Sequence, residues 1–234
     1  MRFGLFGKLQ AKRDFIAMAT PRSFLSVWEP WLQGCISASR IQLVDNWQNA
    51  FLTAPVWRFW LGAEICGEIV AGALMPSMDG VGRYFPLTFL AFAEPGDRLP
   101  PPEIDPCESW FAAIEEFLFV TLDATRPYEA ITQALTAFPP PAAANPEWPA
   151  GLTVLAPRPG IVSMAEDGFA TAFSRARIAD AANASAGMSF WWTAGGEGYP
   201  PHALAAPRLP DPYLYAAMLT GAFADAAPQP VEAP

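Results

Sequence analysis

The sequence predicts an α+β fold, an antiparallel β-sheet packed with helices, and three observations carry that prediction. Three strand-like runs, at 57–61, 69–75 and 83–92, follow one another, with Asp79-Gly80 between the last two, as in a meander. Two other stretches, 24–36 and 109–124, repeat their apolar residues at three and four, the period of a helix. Apolar residues make up 52% of the 234 positions and include nine tryptophans, enough for a sizeable core.

Taken in order, residues 2–6 alternate as a short strand that runs into a Gly7-Lys8 turn. After Thr20-Pro21, Phe24, Trp28, Trp31, Leu32, Cys35 and Ile36 mark one face of a helix, with Ser23 as its cap. Pro30 either kinks that helix or belongs to its first turn. A second helix, 46–52, stops before Ala54-Pro55. The meander follows. The helix at 109–124 takes Ser109 as cap and buries Trp110, Ile114, Phe117, Leu118 and Leu122, which leaves Glu115 and Glu116 on a solvated face. A short helix is expected at 128–135. The proline-rich stretch 138–149 cannot hold regular structure for long, because proline lacks an amide hydrogen. Beyond it come strands at 152–155 and 161–164, a helix at 169–182, a strand at 188–194 and a last helix at 213–223. The whole reads as one domain, 1–226, with a disordered tail at 227–234.

Several function classes are disfavoured. A net charge of −9 opposes nucleic-acid binding, which needs Lys and Arg to displace counterions; Lys8, Lys12 and Arg13 form the only basic cluster. Cys35, Cys66 and Cys107 make an odd count with no CxxC pair, so neither a disulfide framework nor a zinc site is expected. A reducing cytoplasm fits that usage. No leader-like segment or apolar run of about 20 residues is present, so no direct membrane insertion is expected. The single histidine, His202, lies in a loop-like stretch and has no second imidazole to share a metal. The GxxGK at 4–8 is too short for a phosphate loop, and Leu9 stands where a magnesium-binding hydroxyl is needed. The glycines at 195–198 lack the strand-GxGxxG-helix setting of a dinucleotide site. Cys107, just before a helix, reads as a quiet thiol. No catalytic, metal or cofactor-binding residues are expected, and no cofactor.

The richest polar stretch is "MPSMDGVGRYFPLTF", 75–89. Asp79-Gly80 favours a turn, Gly82 allows close backbone approach, Arg83 is placed to pair with Asp79, and Ser77 can satisfy a free amide. The same residues admit a second reading, a small hydrolase using Ser77, Asp79 and Arg83, although no suitable base is visible. Trp191 and Trp192 should point to opposite faces of their strand, one into the core and the other to a helix, a partner or water.

Five segments resemble the TagF family, also called ImpM, accessory proteins of bacterial type VI secretion. "LMPSMDGVGRYFPLT" (74–88) is similar to its signature, and "GLFGKLQAKRDF" (4–15) to its opening GKLP-x-x-GDF pattern. "FLSVWEPWLQ" (24–33) resembles the Trp-x-x-Trp-Leu helix and "FLTAPVWRFWL" (51–61) the APVWRF segment. "SFWWT" (189–193) followed by "RLP" (208–210) resembles the C-terminal pattern. Gln10 and Arg13 depart from the opening pattern, standing at its proline and its glycine, and Pro30 departs from the Trp-Trp helix. The resemblance implies a longin- or profilin-like fold and a cytoplasmic, non-enzymatic post-translational repressor. It implies binding to type VI secretion components, through the system's forkhead-associated scaffold protein. Lys8, Asp14, Ser77, Asp79, Arg83, Tyr84, Trp191 and Trp192 are the candidate interaction residues. A structural subunit of the secretion apparatus is the alternative.

Overall fold

The computed structural model describes residues 1–142, 152–155 and 161–226. Its elements begin with β1 (Arg2–Gly7), β2 (Ile16–Met18), α1 (Arg22–Leu43) and α2 (Trp47–Thr53). The meander then runs through β3 (Trp57–Leu61), a one-turn α3 (Ala63–Cys66), β4 (Val70–Met75) and β5 (Leu87–Phe92). Next come α4 (Glu108–Val120), α5 (Tyr128–Thr136), a separate strand pair β6 (Leu152–Val154) and β7 (Ile161–Ser163), and helices α6 (Phe169–Ala179) and α7 (Ala181–Ala184). The hairpin β8 (Met188–Thr193) and β9 (His202–Pro207) and helix α8 (Tyr215–Thr220) complete it. The main sheet has seven strands in the order β2-β1-β5-β4-β3-β8-β9, every neighbouring pair antiparallel. The α+β expectation holds.

Both faces of this sheet are covered, so β3, β4 and β5 are buried along their whole length. Alternation sends Trp57, Phe59, Val70, Leu74, Leu90 and Phe92 to a core shared with α1, α2 and α8. It sends Trp60, Ala71, Met75, Leu87 and Phe89 to a second core under α4 and α5. Gly72 is required at the crossing of strands: a Cβ there would lie 1.9 Å from the Phe89 carbonyl oxygen and 2.9 Å from the Phe59 ring.

The apolar face of α1 is buried as its spacing predicts, from Phe24 to Ile36. Trp28 stacks at 6.0 Å and 9° on Trp191 of β8, and Trp31 lies 5.2 Å from the same ring. The Trp31 indole N–H donates to the Pro210 carbonyl at 2.8 Å, which ties the Trp-Trp helix to the "RLP" segment. These contacts hold α1 as one 22-residue helix straight through Pro30.

Several expected boundaries need correction. α1 starts at Arg22 behind an extended Pro21, so Ser23 lies inside the helix and caps nothing. α4 starts at Glu108, with Cys107 at φ 47° as its N-cap, so Ser109 is not the cap. It ends at Val120, and Leu122 lies beyond it, 39% exposed rather than buried. β5 starts at Leu87, because Pro86 has no amide to pair and Arg83 belongs to the preceding loop. The expected helix at 213–223 is divided into a 3-10 turn, α8 and a second 3-10 turn, with Gly221 at φ 78° ending α8. The helix at 169–182 breaks at Asp180. Residues 138–142 form no regular element, while 143–149 and the expected tail 227–234 lie outside the described residues. Among the described residues no helix is long and apolar enough to cross a membrane.

Candidate functional site

Gly7 ends β1 at φ 131°, and a Cβ there would lie 2.0 Å from the Pro86 carbonyl oxygen. Only glycine accepts both the angle and the approach. The next residue, Lys8, turns inward: its side chain is 7% exposed, and its ammonium donates to Asp79 Oδ2 at 2.8 Å. The two partners are 71 residues apart in the chain.

Asp79, with a fully buried side chain, is the hub of the loop between β4 and β5. Its Oδ2 also accepts from Arg83 Nε at 2.7 Å, and its Oδ1 accepts from the backbone N–H groups of Val81 (3.1 Å) and Arg83 (2.9 Å). The Asp79 amide donates back to the Arg83 carbonyl at 3.1 Å. Ser77 Oγ donates to the Lys8 carbonyl at 2.8 Å, the Gly80 amide donates to the Lys12 carbonyl at 2.9 Å, and Arg83 Nη2 donates to the Arg13 carbonyl. The loop after β1 and the loop after β4 are thereby laced into one unit. Burial would raise the Asp79 pKa, but Lys8, Arg83 and the two amides outweigh it and hold the carboxyl well below the usual range.

On the outside of this knot Phe15 and Val81 are 51% and 55% exposed, beside exposed Arg13, Asp14, Gly80 and Gly82. Phe15 stands edge-on to Phe85 at 4.7 Å, and the Lys8 ammonium lies 5.1 Å from its ring centre. Neither Phe15 nor Val81 was singled out from the sequence. The available signal was an apolar side chain standing alone in a turn-rich, polar loop.

The eight sequence candidates therefore separate. Lys8, Ser77 and Asp79 are buried and brace the loops. Arg83 bridges, its guanidinium on Asp79 while its side chain stays 58% exposed. Asp14 is exposed. Tyr84 is half-buried on Trp47 and Phe51, and its hydroxyl accepts from Gln48 Nε2 at 2.8 Å. Trp191 is in the core, and half-buried Trp192 packs edge-on against Phe111 of the covering helix α4 at 4.7 Å. The tryptophan pair lies on opposite faces, as alternation requires.

A second charge cluster corrects the reading of Glu115. Buried Arg58 of β3 donates through Nε to Glu115 at 2.7 Å and through Nη1 to Glu108 at 2.5 Å. Glu115 is thus an ion-pair partner rather than a solvated residue. It also lines an apolar cleft of about 300 Å³ with Val56, Met75, Phe119, Leu122 and Thr193. His202 begins β9 rather than occupying a loop, with Nδ1 2.8 Å from the Pro200 carbonyl oxygen. Burial, then the Asp105 charge, pushes the Cys107 thiol up to about 11, away from nucleophile behaviour. Among the described residues no group of His, Cys, Asp and Glu is arranged to hold a metal.

Residues 4–138 match the family model described as the TagF N-terminal domain, type VI secretion system-associated. The fold is similar to the crystal structure of PA0076 from Pseudomonas aeruginosa PAO1, with a TM-score of 0.72 and 30% identity over 94% of each chain. Comparison with curated proteins finds no match. With more than half of its length matched, including the laced loops, this chain belongs to the TagF family of type VI secretion system-associated proteins.

Proposed function

We propose that the protein is a cytoplasmic, non-enzymatic repressor of type VI secretion that acts by binding a component of the apparatus. The partner is its forkhead-associated scaffold protein, and the contact surface is the one carried by the laced loops. The supporting observation is the Lys8–Asp79–Arg83 knot: two buried charges and a set of backbone hydrogen bonds hold Phe15 and Val81 exposed at fixed positions. Burying charges is costly, and a rigid loop with apolar tips lowers the entropy lost on docking. The catalytic alternative fares worse. Ser77 is 4% exposed and its hydroxyl proton is donated to a carbonyl, while both Asp79 oxygens are saturated.

The test is affinity purification of the tagged full chain from a type VI-positive bacterium, with secretion measured on overexpression. Recovery of the forkhead-associated protein and loss of secretion are expected. Phe15→Ser with Val81→Ser should abolish both while costing only about 1–2 kcal/mol of stability, from the lost Phe15 contact with Phe85, so that the chain stays folded. A chain that recovers no secretion component and leaves secretion intact overturns the reading.

A further inference from the structure

The charge around the knot has the opposite sign to that of the whole chain. Across the two laced loops, Lys8 and Arg83 against the single Asp79 leave one positive charge, and Lys12 and Arg13 against Asp14 leave another. The chain as a whole carries −9. Arg13 and Lys12 have no carboxylate in ion-pair range among the described residues; Lys12 instead lies 4.1 Å over the Tyr128 ring. Exposed Phe15 and Val81 lie on the same two loops. In a two-fold pair this positive patch would face its own copy, like charge against like, so a second copy of this chain is a poor occupant, and an anionic segment with apolar side chains is a good one.

The geometry also separates carboxylates from phosphate. A phosphate dianion is held best where guanidinium forks converge on it. Here Arg83 has already committed Nε to Asp79 and Nη2 to the Arg13 carbonyl, which leaves Nη1 without a partner among the described residues. Lys12 is drawn aside onto α5, and Asp14 stands beside Arg13. The positive charge is spread along two loops rather than focused on a point. It suits a run of Asp or Glu spaced along an extended or helical partner segment.

We infer that the face formed by Arg13, Phe15, Val81 and Arg83, with Lys12 at its edge on the α5 side, docks a carboxylate-rich, partly apolar segment of a partner protein. This rests on the proposed binding function and specifies the chemistry of the segment recognised. The probe is a fluorescent peptide of about a dozen residues alternating glutamate and leucine, titrated by anisotropy into the full chain at about 50 and about 300 mM salt. Controls replace glutamate by glutamine, by lysine, or by phosphoserine at two positions.

The glutamate peptide is expected to bind most tightly and to weaken about tenfold at the higher salt, because exposed charges are then screened. Lys12→Glu with Arg13→Glu, both outside the knot, should reduce its affinity at least about tenfold, against little change for distant Arg175→Glu. Equal binding of the glutamine or lysine peptide, or equal loss in Arg175→Glu, overturns the inference. Tighter binding of the phosphoserine peptide also overturns it, in favour of a phosphate site. If the peptide fails while the chain still recovers secretion components from cells, this inference falls and the binding function stands. If no component is recovered, the function falls.

Discussion

Among the described residues the protein contains two buried ion clusters, and they are mirror images in charge. In one, an acid, Asp79, is shared by two bases; in the other, a base, Arg58, is shared by two acids. The difference lies in what else the central group holds. Asp79 also accepts two backbone N–H groups, so its charge dictates the course of a loop. Among the described residues the side-chain hydrogen bonds of Arg58 go only to α4, to Glu108, 65% exposed, and Glu115, 20% exposed, and its guanidinium lies 5.7 Å from the Phe111 ring centre. One cluster shapes backbone; the other clamps a helix to a sheet. A buried charge thus has most leverage where it replaces the hydrogen bonds of a backbone that has no regular structure of its own.

That contrast predicts a ranking. Asp79→Ala should cost about 3–5 kcal/mol, because it strands the Lys8 ammonium and frees two loop amides at once. Urea unfolding measures it, and a loss no larger than that of Arg58→Met would break the comparison. Arg58→Met keeps volume and apolar packing, and its acids can turn back to water, so about 1–3 kcal/mol is expected.

Acid titration sharpens the contrast. The folded Asp79 pKa is depressed, chiefly by Lys8 against an opposing burial effect. Its contribution is therefore whole above the unfolded value of about 3.9 and is lost as pH falls from there through the folded value far below. The stability gap between wild type and Asp79→Asn should be constant from neutrality down to that point and shrink beneath it. A gap that closed above pH of about 5 would contradict the assignment. The smallest effect is expected for Glu108→Gln, about 0–1 kcal/mol, since that partner is mostly in water.

The aromatic core and the knot were not equally legible beforehand. The spacing of Phe24, Trp28, Trp31 and Leu32 identified a buried helix face, and the three apolar runs with Asp79-Gly80 identified the central meander. β9 was not found: its sequence, HALAAP, has little β-propensity, and six pairings with β8 hold it. β2 and α3, at three and four residues, are too short to show a period. Arg83 with Asp79 was legible because the two are four residues apart. Lys8 with Asp79 was not, and neither was Arg58 with Glu115, 57 residues away.

The sequence alone determined the apolar faces, the turn at Asp79-Gly80 and the membership implied by the segment motifs, because each depends on residues within a few positions of one another. Only the tertiary structure decided that Lys8 is buried, that Asp79 serves two bases and two amides, and that Phe15 and Val81 are left outside. Those outcomes depend on sheet order. β1 lies beside β5, so the end of one strand meets the loop that opens the other. Charges distant in the chain then meet where water is excluded, and the Coulombic and hydrogen-bond terms become strong enough to fix a loop.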